Sequence, residues 1–155
     1  MMKRTSLQGD MCPIARSLDV IGDWWSLLIV RDALLGARRF SQFQKNLGVA
    51  KNILTVRLKT LVAEGILETK PASDGGAYLD YVPTQKGRGL FPVLVALRQW
   101  GEEFLVAPGE EFAALVDRKD GLPLRKLAIH ANDGRLLEQT DTKIALPASA
   151  SKEQV

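Results

Sequence analysis

Lys51, Asn52, Thr55, Val56, Arg57 and Lys59 form the set whose residue types and spacing best suit chemistry with an outside molecule. On a helix with Leu54 and Leu58 turned inward, Asn52, Val56 and Lys59 fall roughly opposite, with Thr55 on one flank and Arg57 on the other. An asparagine carboxamide can hold an adenine edge by two hydrogen bonds in a major groove, and Thr55 and Val56 can touch a thymine methyl. Lys51, Arg57 and Lys59 suit phosphate oxygens or guanine. The structural alternative makes Asn52 a capping-turn residue and leaves the cations as a solvated face. Arg38 and Arg39, upstream of this helix, suit phosphates, which position a protein without reading sequence. Alternatively, one of them pairs with an acid such as Asp32. Lys70 and Ser73 could reach a minor groove, although Asp74 between them and Gly75 argues against close phosphate approach.

Other reactive groups are few. Cys12 stands at the start of a helix beside Arg16, where a thiolate is favoured and oxidant sensing becomes chemically accessible. The competing reading is a small buried thiol that is inert. His130 is the only histidine and is expected to be structural or at the surface. With one Cys and one His, no nucleophile–base pair or metal-ligand cluster can be assembled, so neither an enzyme nor a bound metal or cofactor is expected. Trp24-Trp25 could stack on a ligand, but core packing is expected because they open the most apolar helix in the chain.

Charge supports a polyanionic partner through its distribution rather than its total. The formal net charge is only +3, yet residues 1–92 carry +5 and residues 93–155 carry −2. Ala33 to Ala63 contains no acid and six cations: Arg38, Arg39, Lys45, Lys51, Arg57 and Lys59. Such a stretch leaves a positive face on a compact fold. A hydrophobic content of 46% and a charged content of 25% are ordinary for a globular domain. No apolar run approaches the roughly 20 residues of a membrane helix, and no signal peptide is read at the start. A cytoplasmic protein without membrane contact is therefore expected. The lone Cys12 excludes an internal disulfide and agrees with a reducing compartment.

The elements that must position these residues can be read from periodicity. Helices are expected over 13–21, 24–35, 41–47 and 49–64, the last two joined by a turn at Gly48 as a helix-turn-helix. Segments 66–70 and 77–82 alternate like strands around Ser73-Asp74-Gly75-Gly76 and form a hairpin. A helix-turn-helix followed by a hairpin is a winged helix. Thr84 opens a helix to Phe104, with a kink or restart at Pro92. Leu90, Val93, Leu94, Leu97 and Phe104 form one packing stripe, while Phe91 and Val95 point elsewhere. This surplus apolar surface implies a second copy of the chain. Ala107-Pro108-Gly109 reads as a boundary. Beyond it, Asn132-Asp133-Gly134 predicts a hairpin between 124–131 and 135–146. The fold class is mainly α with a small β-wing, a winged helix-turn-helix plus a C-terminal β-hairpin extension. The domains are 1–107 for DNA binding and dimerisation, 108–146 for the extension, and 147–155 as a loose tail.

Five segments together resemble the HxlR family, relatives of MarR-type regulators. They are Cys12-Pro13-Ile14-Ala15-Arg16, Ile21 to Ile29 (with Gly22-Asp23-Trp24-Trp25), Arg38-Arg39-Phe40-Ser41-Gln42-Phe43, Val49 to Leu58, and Thr84-Gln85-Lys86-Gly87-Arg88. The resemblance runs from about residue 12 to 104. It implies a homodimeric winged helix on pseudo-palindromic double-stranded DNA, dimerised through the first helix and the helices after the wing. It also lends weight to Cys12 as an oxidant sensor; should Cys12 not serve, an unidentified small-molecule effector is the alternative input. Val56 departs from the family where a polar residue is frequent, and Pro83 where an aliphatic is usual. Relatives with a similar extension carry cysteines in a zinc-ribbon-like arrangement; this chain has none there. The competing function is a winged-helix protein-interaction module docking through 110–146, which would have no need of the acid-free cationic stretch.

Overall fold

Pro13 opens helix α1 (Pro13–Ile21) at a position where its missing N–H costs nothing. The structure, a computed structural model, describes residues 5–149; Met1 to Arg4 and the end of the expected tail, 150–155, lie outside the described residues. Ile21 is buried, whereas Ile14 and Leu18 stay 69% and 50% exposed, so α1 turns an apolar face outward. Asp23 starts helix α2 (Trp24–Leu34): its carboxylate accepts the N–H groups of Trp25 and Ser26 at 3.0 and 2.9 Å. Ile29, Val30 and Ala33 are fully buried, which makes α2 the centre of the core. Trp25 packs against that core, but Trp24 is 87% exposed, contrary to the expectation that both pack inside. The Asp23 cap fixes where α2 begins, and in that first turn the Trp25 side meets the core while Trp24, about 100° away, does not.

Helices α3 (Phe40–Leu47) and α4 (Lys51–Ala63) follow, joined by a left-handed Gly48 and a buried Val49. Phe43, Leu54, Leu58 and Leu61 are at most 1% exposed and interdigitate with α2. Each such side chain contributes about 1.5–3 kcal/mol of burial. Gly65, at φ 71°, ends α4 in a Schellman motif. Its N–H donates to Val62, and the N–H of Ile66 donates to Leu61 at 2.9 Å. The buried Leu61 and Ile66 supply the accompanying hydrophobic contact.

Strands β1 (Leu67–Pro71) and β2 (Leu79–Pro83) pair antiparallel, from Leu67 opposite Pro83 to Pro71 opposite Leu79. This is the expected wing, shifted by one or two residues. Phe43 and Tyr81 meet edge to face with ring centroids 6.4 Å apart, and the Tyr81 N–H donates to the Arg38 carbonyl at 2.7 Å. Those two contacts seat the wing on the start of α3.

Thr84 caps the short helix α5 (Gln85–Arg88), and α6 (Phe91–Phe104) restarts with Pro92 in its first turn. The restart re-phases the apolar stripe. Val95 is buried, and Leu90 and Leu94 pack on the core, while Val93, Leu97 and Phe104 are 41%, 50% and 63% exposed beside an exposed Phe91. The expected single stripe is therefore divided between an inner set and an outer set, and Val95 belongs to the inner one.

The chain divides into two compact units, Met1–Arg98 and Gln99–Val155. In the second, the Gln99 carboxamide accepts from the Leu127 N–H at 2.8 Å and donates to the Arg125 carbonyl at 3.0 Å. The Asn132-Asp133-Gly134 turn forms, with the Ala131 N–H on the Arg135 carbonyl at 2.8 Å and a bridge between His130 and Leu136. It does not propagate into the expected strand pair. Ile129 and Leu136 are 66% and 70% exposed, and a two-stranded ribbon without a covered face is marginal. A second bridge joins Val116 and Pro123, and Gln139–Asp141 forms one 3-10 turn. His130 is exposed, which selects the surface alternative of the two expected for it.

Candidate nucleic-acid interface

The inner side of α4 is fixed by Leu54, Leu58 and Leu61, and the opposite side stays open. Lys51, Asn52, Thr55 and Val56 line one shallow depression on that side, with Val56 57% exposed. Lys59 is exposed one turn further on. Ala50 occupies the N-cap position, so Asn52 is not the capping residue and its carboxamide stays on the open side. The Thr55 hydroxyl donates to the Lys51 carbonyl at 2.8 Å, which commits its proton to the helix backbone. What Thr55 offers a partner is its methyl group and an acceptor oxygen.

Arg57 is differently placed. Its Nε lies 3.3 Å from Oδ2 of Asp23, the N-cap of α2, so it ties α4 to α2. Burial pushes the Asp23 carboxyl up. Hydrogen bonds from the Ser26 hydroxyl and from the Ser26 and Trp25 N–H groups, with the Arg57 charge, outweigh it and hold the group below the usual carboxylate range.

Both arginines before α3 are engaged by the protein. Arg38 donates through Nη1 to the carbonyls of Ala33 and Ala37 at 2.7 and 2.8 Å, closing the end of α2. Arg39 places Nη2 2.5 Å from Oδ2 of Asp74 at the wing tip, and Nε 3.6 Å from Oδ1 of Asp80 on β2. The Arg39 hydrogen bond holds Asp74 low, and the Asp74 partner raises Arg39. Asp32, the acid considered for one of these arginines, instead pairs with Arg31 at 2.9 Å. In the wing, Lys70 pairs with Glu68 at 3.4 Å, and the Ser73 N–H reaches Oδ2 of Asp80 at 3.4 Å.

The stretch that lacks acids in sequence is thus supplied with them in space by Asp23, Asp74 and Asp80. Lys45, Lys51 and Lys59 remain exposed cations without a carboxylate partner among the described residues. Asp23 was missed as a functional position. Its signal was an Asp directly before an apolar helix, with Ser26 at the third helical position.

Cys12 is exposed, which removes the buried reading. It is the N-cap residue of α1; its N–H donates to Oδ1 of Asp10 at 2.8 Å, and Arg16 reaches the Asp10 carbonyl. No group of three or more His, Cys, Asp or Glu side chains that could hold a metal ion occurs among the described residues. No described helix is long and apolar enough to cross a membrane.

Residues 20–108 match the profile of an HxlR-like helix-turn-helix. Over 95 residues the chain is 41% identical to the HTH-type transcriptional regulator Rv3095 of Mycobacterium tuberculosis, an overlap of 61% of this chain and 60% of that one. It therefore spans less than two thirds of that relative's length. Among solved structures, PA1607, a candidate transcription factor, is 51% identical with a TM-score of 0.87, over 91% of this chain and 99% of that chain. PA1374 of Pseudomonas aeruginosa is 42% identical with a TM-score of 0.63, over 92% and 97% respectively.

Proposed function

We propose a function from one premise: the chain belongs to the HxlR-like helix-turn-helix family. It is a winged-helix regulator that binds a pseudo-palindromic operator as a homodimer and acts in the cytoplasm as a repressor. The carrying observation is the open side of α4, where Lys51, Asn52, Thr55 and Val56 stand exposed opposite a fully buried leucine row. In this reading Asn52 reads adenine, Val56 and the Thr55 methyl touch thymine methyls, and Lys51 and Lys59 take phosphates. Residues 1–107 carry both DNA binding and dimerisation. The outward apolar faces of α1 (Ile14, Leu18) and α6 (Phe91, Leu97) support a second copy as their cover. Exposed Cys12 at the start of α1 is the point where an oxidant would act.

Arg38, Arg39 and Arg57 have structural partners, so they serve first as positioning residues: Arg38 for α2, Arg57 for α4 and Arg39 for the wing. Arg39, Lys70 and Ser73 then bring the wing to the backbone rather than reading bases. The test is the salt dependence of operator binding. Lys45, Lys51 and Lys59 from two subunits predict a log–log slope of about −5, approaching about −10 if DNA also draws the arginines from their partners. A flat response would favour the protein-interaction module.

A further inference from the structure

A cleft of about 240 Å³ opens between α1 and the corner where α4, β1 and α5 meet. Val20, Ile21, Ile66 and Leu90 give it an apolar floor, with Ile21 and Ile66 8% and 2% exposed. Arg16 and Lys86 line it as well. These two cations differ from Arg31, Arg39 and Arg57 of the same unit, each of which has a carboxylate partner. Arg16 holds only the Asp10 carbonyl, and Lys86 only the Glu64 carbonyl at 2.6 Å; neither has a carboxylate partner among the described residues. Backbone carbonyls satisfy hydrogen bonds without neutralising charge.

We propose that this cleft binds a small organic monocarboxylate with a compact apolar body. The apolar body covers Val20, Ile66 and Leu90 and leaves water, while the carboxylate takes the hydrogen-bonding capacity of Arg16 and Lys86 that the backbone leaves unused. A neutral ligand of the same shape gains only the apolar part, and a cationic one is repelled. Drug-sized sites occupy about 300–1,000 Å³, so a smaller cleft selects a fragment-sized acid. The position gives such an acid leverage. Glu64, whose carbonyl Lys86 holds, is the C-cap of α4, and Thr84 ties the same corner through the Gly65 and Ile66 carbonyls. A carboxylate that shares Lys86 with the Glu64 carbonyl weakens that hold on the C-terminal end of the helix proposed to read DNA. The opposite wall is α1, which carries the apolar face proposed for dimerisation.

The regulatory consequence rests on the regulator reading, but binding itself does not, so it is measured on the full DNA-free chain. Methyl-labelled protein is titrated with cyclohexanecarboxylate, cyclohexylmethanol and cyclohexylmethylamine, three probes with one ring and different charge. Saturable shifts of the Val20, Ile21, Ile66 and Leu90 methyls are expected with the acid, at least about five-fold tighter than with the alcohol and absent with the amine. Arg16→Gln and Lys86→Gln each weaken the acid by about five-fold and leave the alcohol unchanged, whereas Lys86→Arg retains the acid. Equal binding of acid and alcohol overturns the proposal. So do shifts located elsewhere, or a cleft closed to all three probes by side chains of a second copy.

Discussion

Asp23 serves two helices at once, and its removal should be felt in both. It caps α2 through two N–H groups and holds Arg57 of α4. Asp23→Ala should lower unfolding stability in urea at pH 7 by about 1–2 kcal/mol, the usual cost of losing an N-cap. The pH dependence follows from its depressed folded-state pKa. A depressed carboxyl contributes stability that is present above its unfolded value of about 3.9 and is lost as pH falls through the folded value. The gap between wild type and Asp23→Ala should therefore be full at pH 7 and narrow progressively below about pH 4. A gap constant from pH 7 to pH 2 would exclude this role. Arg39 and Asp74 make the corresponding pair in the wing, both on the protein surface. Asp74→Asn should release Arg39 toward phosphate, tighten binding to all DNA sequences alike and steepen the salt slope by about one per subunit. Fluorescence anisotropy with unrelated duplexes at several salt concentrations reads all three effects. Cys12→Ser should abolish any diamide effect on operator binding, and identical responses of variant and wild type would remove Cys12 as the oxidant input. At this scale the sequence exposed the charges but not their partners. Arg39 meets Asp74 and Asp80 through a hairpin fold-back, and Arg57 meets Asp23 across 34 residues; local pattern carries no trace of either pairing.

The elements themselves were more legible than their junctions. Leu54, Leu58 and Leu61 announced the buried side of α4 because a 3.6-residue period leaves little freedom, and the wing followed from alternation around a glycine-rich tip. Pro92 marked a kink or restart, but which residues of α6 would face inward depended on how far Gly89 and Leu90 turn the chain first. Trp24 was misplaced for a similar reason: the composition of α2 is apolar nearly all round, so its rotation is set by the Asp23 cap rather than by pattern. In the extension, alternation without a covering layer did not make strands. One junction can be tested directly. A Cβ on Gly87 would stand 2.2 Å from the Ile66 carbonyl oxygen, a contact of backbone with backbone that cannot yield cheaply. Gly87→Ala should destabilise by about 1–3 kcal/mol in thermal or urea unfolding. Gly101→Ala, helical and with nothing within 4 Å, should be neutral or slightly stabilising. Equal effects of the two would mean that the contact between α5 and the Ile66 backbone is not close-packed.

For the whole molecule, the unburied faces of α1 and α6 and the open side of α4 have to be explained together. The proposed dimer would cover the first two and duplicate the third at a fixed spacing. Sedimentation at micromolar concentration should give about twice the 17.1 kDa chain mass, and Leu18→Glu with Leu97→Glu should return it to one chain with α-helical content retained. In the proposed dimer, two copies of α4 on one face of a duplex would read half-sites centred about one helical turn apart, roughly 34 Å or 10 base pairs. Selection of bound fragments from the native genome, run in parallel on wild type and Asn52→Ala, tests this most directly. Wild type should enrich a pseudo-palindrome with half-sites about 10 base pairs apart, and Asn52→Ala should lose preference at one symmetric base step at a cost of about 1–3 kcal/mol. No enriched symmetric motif, or the same motif from both proteins, would contradict operator reading by the open side of α4.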